Sequence, residues 1–276
     1  MYEAEISRAN PTAFVFLVDQ SGSMAAPFGG AEEQAKSDYV ATALNRLLHE
    51  FILLCTKNDG VRDYFHLAVL GYGSEIGSAL GTPDVKLAPI SQIADSPIRL
   101  EERIQKVPDG AGGIVEQGVR FPVWLEARSD GATRMCEAIR IAQDELAEWI
   151  ESHPDAYPPV VINITDGEAT DGDPIGPAAE LRSLATRDGS VLMFNVHVSS
   201  LTGRKIEFPQ SEDNLPDDFA RRLYAMSSRL AEHMLEPARA RGHTVSGESR
   251  GFSYNADMVG LSEFLTIGTR PANELR

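Results

Sequence analysis

Oxygen-bearing side chains occur in three short polar segments, each beside an apolar stretch. The first, residues 19–23 (DQSGS), directly follows the apolar run 14–18. Asp and Ser at alternate positions can point their oxygens the same way in an extended turn, and glycine allows a sharp bend. The second segment, 130–133 (DGAT), precedes a predicted helix, and the third, 165–167 (TDG), ends an apolar run. Carboxylate and hydroxyl oxygens of this kind suit a hard cation.

Apolar runs and amphipathic stretches alternate along the chain and predict the elements that position these segments. Short continuous apolar runs, typical of strands buried on both faces, alternate with helical patterns such as 33–57 and 133–152. This alternation predicts an α/β fold with a Rossmann-like, doubly wound, mostly parallel central sheet flanked by helices. Ligands bind such sheets at the carboxyl ends of the strands, near a topological switch point. The three polar segments are therefore expected at one edge of the sheet.

The candidate ligands are two carboxylates and three hydroxyls: Asp19, Ser21, Ser23, Thr133 and Asp166. Magnesium prefers six oxygens in octahedral geometry, whereas the absence of Cys and His argues against zinc or copper. If one Asp binds through water, the ion is incompletely neutralised. An open coordination position then attracts a carboxylate from another protein. Taken singly, each segment has a simpler interpretation: a polar turn at 19–23, a helix N-cap at Thr133, and a turn former at Asp166.

The combination of these five residues resembles the metal-ion-dependent adhesion site (MIDAS) of von Willebrand factor A (VWA) domains. The resemblance covers roughly residues 12–199, and the stretch 164–171 (ITDGEATD) is similar to bacterial intracellular members, including the tellurite-resistance type. It implies a VWA fold and a magnesium ion, with manganese as the alternative and calcium ranked below both. It also implies that residues 19–23 form the first metal loop, Thr133 the second and Asp166 the third.

The sequence departs from a minimal VWA domain in three places. Gly-Ala precedes Thr133 where many members have Gly-Gly, and residues 81–118 and the tail beyond residue 199 are long. We therefore predict a VWA core at 1–199 with an elaborated insertion around 81–118. A C-terminal extension at 200–276 is expected to pack on the same domain. Local patterns predict one helix at 96–106, another at about 217–234 and an edge strand at 251–254.

Composition limits the possible partners and the compartment. The formal net charge of −16 disfavours nucleic acid, because an acidic surface repels phosphate backbones. No apolar run approaches the ~20 residues that cross a bilayer, and the N-terminus carries no secretory signal, so no membrane association is expected. Cys55 and Cys136 fall among apolar neighbours and are interpreted as buried free thiols, which indicates a reducing, cytoplasmic location.

The leading functional hypothesis is a metal-dependent protein-binding or scaffold module and not an enzyme. Its partner would supply an Asp or Glu to the metal; the resemblance implies a kinase, phosphatase or ATPase of the same system. One alternative is a magnesium-dependent phosphoester hydrolase, although the sequence has neither a P-loop nor a G-x-S-x-G elbow, and no His lies in the three segments. Another is a structural metal, with the partner surface in residues 201–276.

Overall fold

The structure is a computed structural model that describes residues 2–28, 34–81, 86–108, 114–199 and 203–269. The first helical element in the chain is a 3-10 turn at Gly22–Ala25. The α-helices after it are α1 (Lys36–Cys55), α2 (Ile90–Ala94), α3 (Met135–Ser152), α4 (Ile175–Ser183), α5 (Asp218–Met226), α6 (Glu232–Ala240) and α7 (Met258–Gly268). Its strands are β1 (Thr12–Asp19), β2 (Thr56–Lys57), β3 (Gly60–Val61), β4 (Phe65–Tyr72), β5 (Ile76–Ser78), β6 (Ala88–Pro89), β7 (Arg99–Pro108), β8 (Ile114–Val123), β9 (Val160–Thr165), β10 (Ala185–Thr186), β11 (Gly189–Ser190), β12 (Leu192–Val198), β13 (Ile206–Glu207) and β14 (Phe252–Ala256).

An eight-stranded sheet forms the centre of the molecule, in the order β13-β14-β12-β9-β1-β4-β5, with β6 also paired to β4. Strands β14, β12, β9, β1 and β4 run parallel, whereas β5, β6 and β13 are antiparallel to their neighbours. Without the short strands β6 and β13, this is the 3-2-1-4-5-6 order of a doubly wound sheet. The predicted fold class is confirmed. The order reverses between β1 and β9, which places the topological switch point there.

Helices cover both faces of the sheet because successive side chains of each strand point to opposite sides. Phe14 and Phe16 of β1 pack into the core beneath α1, α6 and α7, whereas Val15 and Leu17 pack into the core beneath α3, α4 and α5. Every residue of β1 is buried, as expected of a strand enclosed on both faces. The residues that follow β1 are therefore presented from a rigid element.

The region 81–118 differs from the prediction in its secondary structure. We expected a helix at 96–106, but residues 99–108 form β7, which pairs antiparallel with β8 in a separate two-stranded sheet. Leu100 and Ile104 are exposed on the same side of β7. Their alternation with polar residues is a strand pattern, and antiparallel pairing with β8, the next strand in the chain, stabilises it as one. The glycine-rich residues 109–113 lie outside the described residues.

Two C-terminal predictions also need correction. The single helix expected at about 217–234 is interrupted, because Ser228 leaves the helix and its backbone N–H binds the Met193 carbonyl at 2.7 Å. Residues 251–254 were expected to form an edge strand, but the strand observed there, β14, lies between β12 and β13. The C-terminal residues thus supply strands to the same sheet as β1. Among the described helices, none combines the length and apolar character needed to cross a lipid bilayer.

Both cysteines are buried and free of disulfides, as predicted. Burial raises the pKa of the Cys55 thiol to about 12 and that of Cys136 to about 11. At neutral pH both are therefore protonated and weakly nucleophilic.

Asn45 of α1 connects the helix to the chain that returns from β8. Its side-chain oxygen accepts hydrogen bonds from the backbone N–H groups of Trp124 and Leu125, and its amide donates to the Leu125 carbonyl. We expect Asn45→Ala to lower the free energy of unfolding by about 2 kcal/mol, because buried backbone groups lose their partners. Urea denaturation measures this loss. The exposed control Asn58→Ala should change stability by less than ~0.5 kcal/mol, and equal effects of the two variants would contradict the assignment.

Candidate metal centre

The first polar segment begins where β1 ends. The Asp19 carboxylate is buried, and its Oδ1 accepts a hydrogen bond from the backbone N–H of Ser21 at 2.8 Å. The chain then forms the 3-10 turn Gly22–Ala25, which is anchored by the buried side chain of Met24. This turn brings Ser23 Oγ to 3.0 Å from Ser21 Oγ. Three oxygen-bearing side chains of the first segment are thus held close together.

The third segment joins the first across the switch point between β1 and β9. Thr165, the last residue of β9, donates to Asp19 Oδ2 at 2.7 Å. Ser23 Oγ donates to Asp166 Oδ1 at 2.7 Å. Asp19 and Asp166, which are 147 positions apart along the chain, are therefore held in one hydrogen-bonded cluster.

Backbone hydrogen bonds attach the second segment to the first. Asp130 N–H donates to the Gln20 carbonyl at 2.7 Å, and Gly22 N–H donates to the Gly131 carbonyl at 3.0 Å. A methyl group on Gly167 would lie 3.8 Å from Thr133 Oγ1 and 3.9 Å from Ser23 Oγ. The Thr133 hydroxyl therefore lies on the same side of the third segment as Ser23, and all five predicted residues lie at one edge of the sheet.

The position of Thr133 alone suggested that it caps the following helix, but it does not. The N-cap position of α3 is Arg134, and the carboxylate of Asp171 accepts from the backbone N–H groups of Cys136 at 3.1 Å and Glu137 at 2.9 Å. Asp171 thus accepts hydrogen bonds from N–H groups at the start of α3, which a capping Thr133 would otherwise accept. The Thr133 hydroxyl is left available for the cluster.

Lys36 is a member of the cluster that sequence reasoning missed. It is the first residue of α1, and its ammonium forms a salt bridge with Asp166 Oδ2. The two side chains are only 6% and 1% exposed. One signal lay in the sequence: a lysine in the first turn of a predicted helix is unfavourable to the helix dipole and needs a compensating partner.

Burial dominates the electrostatics of Asp19. Desolvation raises the pKa of its carboxyl group, although hydrogen bonds from Ser21 and Thr165 lower it and the nearby Asp166 raises it further. The buried phenol of Tyr72 also has a pKa raised well above its usual value, first by desolvation and then by the Asp19 charge. Burial therefore disfavours the ionised form of Asp19, and a metal cation beside its carboxylate would stabilise that form.

Two oxygen–oxygen separations in the cluster are close to those between neighbouring ligands of a hard cation. Metal–oxygen distances of about 2.1 Å place adjacent oxygens of an octahedron roughly 3 Å apart. The Ser21–Ser23 and Ser23–Asp166 oxygen pairs are separated by 3.0 Å and 2.7 Å. Across the described residues, no group of three or more His, Cys, Asp and Glu side chains is placed to hold a metal. Any site here must therefore depend on hydroxyl oxygens together with the two carboxylates.

The neighbouring acidic residues have other roles. Asp171 caps α3, Asp173 accepts from the backbone N–H of Ile175 at 3.1 Å, and Glu168 lies 3.7 Å from the guanidinium of Arg222. These contacts make the three carboxylates helix caps or ion-pair partners. Arg134 pairs with Glu137, and Met135 is fully buried in the core.

The matches to known proteins come from solved structures and not from sequence comparisons. No protein-family profile matches the sequence, and no curated protein matches it significantly. Some solved structures do match, and they include von Willebrand factor domains. The vWF domain of the type V pilus tip protein Mfa5 from Porphyromonas gingivalis aligns with 58% of this chain and 39% of its own, at 16% identity and a TM-score of 0.32.

Two further structures align similarly. The ArnB paralog VWA2 from Sulfolobus acidocaldarius aligns with 68% of this chain and 35% of its own, at 12% identity and a TM-score of 0.33. The PilB minor pilin from Streptococcus sanguinis aligns with 57% of this chain and 30% of its own, at 13% identity and a TM-score of 0.34. The alignments span well under half of each of these longer chains. The strand order described above defines the fold independently of them.

His197 lies behind the third segment and titrates abnormally. Its Nδ1 accepts from the backbone N–H of Asn255 at 3.2 Å, and its ring also hydrogen-bonds the backbone of Asp166. Burial lowers the pKa of this imidazole from 6.5 to about 4, although the nearby carboxylates of Asp166 and Asp217 raise it. The ring is therefore neutral at pH 7 and both of its nitrogens have backbone partners.

This titration predicts a pH dependence of stability. The unfolded chain binds a proton at His197 near pH 6.5 and the folded chain only near pH 4, so stability is retained above pH 6.5 and lost as pH falls. Between pH 7 and pH 5 this group should lower the free energy of unfolding by about 2 kcal/mol. Urea denaturation at the two pH values, in chelator, measures this change, and His197→Gln, which lacks the titrating ring, is the comparison. An identical pH dependence of the two proteins would contradict the prediction.

Proposed function

We propose that this chain is a metal-dependent protein-binding module of the VWA type, similar to bacterial intracellular members. Asp19, Ser21, Ser23, Thr133 and Asp166 would hold one magnesium or manganese ion. Support comes chiefly from the hydrogen-bonded chain that links Ser21, Ser23 and Asp166 at octahedral spacing. The bound ion would supply a Lewis-acidic position for one further oxygen donor.

The open side of the cluster favours a protein ligand. Gly22, Ser23 and residues 130–132 are exposed, whereas Asp19 and Ser21 are buried beneath them. If each of the five side chains gives one oxygen, they provide five ligands, one fewer than an octahedral ion accepts. An Asp or Glu from a partner can reach the sixth position from solvent. The family resemblance suggests a kinase, phosphatase or ATPase of the same system as this partner.

Two observations disfavour the hydrolase alternative. His197 is the histidine that contacts the third segment, but its ring is buried, neutral and bonded to backbone at both nitrogens. A general base must instead reach the proton it abstracts. A cavity of about 370 Å³ among the described residues lies between α1 and the β7–β8 hairpin and is lined by residues such as Arg46, His49 and Phe121, whereas the pocket lined by Asp19 and Gln20 is only about 10 Å³.

The test is capture of a partner with and without metal. The immobilised chain is exposed to lysate of its native host in magnesium and then washed with chelator. We expect a specific partner to elute with chelator, to be absent from Asp19→Asn beads, and to lose binding when one of its own acidic residues is changed. A partner retained in excess chelator would refute the proposal. If the partner is retained in chelator and chelator also lowers the melting temperature of the chain, the metal is structural and the partner surface lies in residues 201–276.

Enzymatic turnover is tested separately. Purified protein with magnesium is incubated with a generic phosphoester, and Asp166→Ala is the control. We expect no turnover above that of the control. Hydrolysis that disappears in Asp166→Ala would favour the hydrolase alternative.

A further inference from the structure

The position of Lys36 is energetically unfavourable unless Asp166 compensates for it. A buried ammonium loses hydration, and breaking a buried ion pair leaves an uncompensated charge. Lys36 also lies at the N-terminal, partially positive end of α1. Its backbone N–H binds the Ala26 carbonyl at 3.0 Å, which holds the base of the side chain beside the first polar segment. The ammonium is thus held against one specific carboxylate.

The two oxygens of Asp166 are shared between the proposed metal ligands and Lys36. Oδ1 accepts from Ser23, which belongs to the proposed ligand set, whereas Oδ2 accepts from the Lys36 ammonium. A divalent cation that binds beside Ser23 and Asp166 would lie within a few ångströms of that ammonium. Like charges at such distances, away from bulk water, repel strongly.

We propose that Lys36 is an internal competitor of the metal and determines its affinity. This inference rests on the proposed function. Without metal, Lys36 neutralises the buried carboxylate of Asp166 and keeps the third segment in place. When a divalent cation takes Asp166, the ammonium gives up this contact. Only the flexible side chain needs to move, because the backbone of Lys36 is held by Ala26.

The same arrangement suits capture of an acidic partner. Asp19, Asp166 and Lys36 together carry a net charge of minus one, which becomes plus one when a divalent cation is added. The loaded centre therefore attracts an anionic donor even with both Asp residues ionised. Without Lys36, the loaded centre would be neutral and its attraction for a carboxylate weaker.

Manganese binding to the whole purified chain tests the proposal. Free Mn²⁺ is followed by electron paramagnetic resonance during titration of wild type, Lys36→Met and the exposed control Lys57→Met. We expect Lys36→Met to bind Mn²⁺ at least about tenfold more tightly than wild type, and Lys57→Met to match wild type. In chelator, Lys36→Met should melt below wild type, and Mn²⁺ should raise its melting temperature by more than it raises that of wild type.

The outcomes separate this inference from the proposed function. Wild-type binding of Mn²⁺ that is as tight as that of Lys36→Met, or tighter, overturns the competition but leaves the metal centre intact. Absence of Mn²⁺ binding in both proteins overturns both proposals. If Lys36→Met does not fold without metal, Lys36→Gln replaces it, because its amide still donates to Asp166 without a charge. Lys36→Gln affinity no higher than that of wild type then overturns the inference.

Discussion

Asp19→Asn is expected to weaken Mn²⁺ binding by at least about 100-fold while the protein stays folded. Loss of even an outer-shell partner of a metal ligand typically costs 10–100-fold in affinity, and Asp19 is a proposed charged ligand. The substitution preserves shape: the Asn oxygen can still accept from Ser21 N–H. The Thr165 hydroxyl, which lies 3.1 Å from the Gly167 carbonyl, can donate there and accept from the Asn amide.

Stability in chelator separates loss of metal from loss of fold. Desolvation raises the pKa of Asp19, so its ionised form opposes folding when no metal is present. Asp19→Asn should therefore unfold in chelator at the same urea concentration as wild type or a higher one. Asp173→Asn, which alters a capping carboxylate outside the proposed ligand set, is the matched control and should bind Mn²⁺ normally. Wild-type affinity in Asp19→Asn would show that Asp19 does not hold the metal.

Gly131→Ala is expected to lower the free energy of unfolding by about 4 kcal/mol. The backbone at Gly131 has φ of +81°, a conformation that costs an alanine roughly 1–2 kcal/mol. Its added Cβ would also lie 2.3 Å from the backbone nitrogen of Ser74 and 2.4 Å from its Cα. Since backbone atoms cannot move aside easily, the second segment must shift and lose its hydrogen bonds to Gly22 and Ser74.

The same shift should displace the Thr133 hydroxyl, so we also expect weaker Mn²⁺ binding by Gly131→Ala. Urea denaturation measures stability, and titration at a temperature where the variant is folded measures affinity. Gly77→Ala is the matched control, because its Cβ would meet no atom within 4 Å. Its stability should stay within ~0.5 kcal/mol of wild type. Equal stabilities of Gly131→Ala and Gly77→Ala would contradict the close approach of the second segment to Ser74.

Elements with a strong local pattern were predictable from the sequence. The continuous apolar runs of β1 and β9 indicated strands buried on both faces, and the spacing of apolar residues in α3 indicated a helix. The prediction was wrong at β7, where local composition favoured a helix. It also missed the break before α6. Both errors lie where a contact outside the element determines the backbone: antiparallel pairing with the next strand, β8, makes β7 a strand, and the distant Met193 binds Ser228.

The candidate centre divides in the same way. Asp19, Ser21, Ser23, Thr133 and Asp166 could be selected from the sequence, because each follows a strand or precedes a helix in a recognisable polar segment. Parallel strand order then implied that they share one edge. For Lys36 the sequence offered only the signal of a lysine in the first turn of a helix, which does not identify its partner Asp166, 130 positions away. Likewise, only the structure shows that Asp171 rather than Thr133 caps α3.

By itself the sequence determined the α/β class of this protein and the oxygen donors that lie at the switch edge of its sheet. Hydrophobic periodicity and turn chemistry are local properties, and they are legible without coordinates. The tertiary structure decided which charges those donors meet and which hydroxyls remain available to a ligand. Contacts such as Lys36 with Asp166 depend on chain segments that become neighbours only when the sheet has formed.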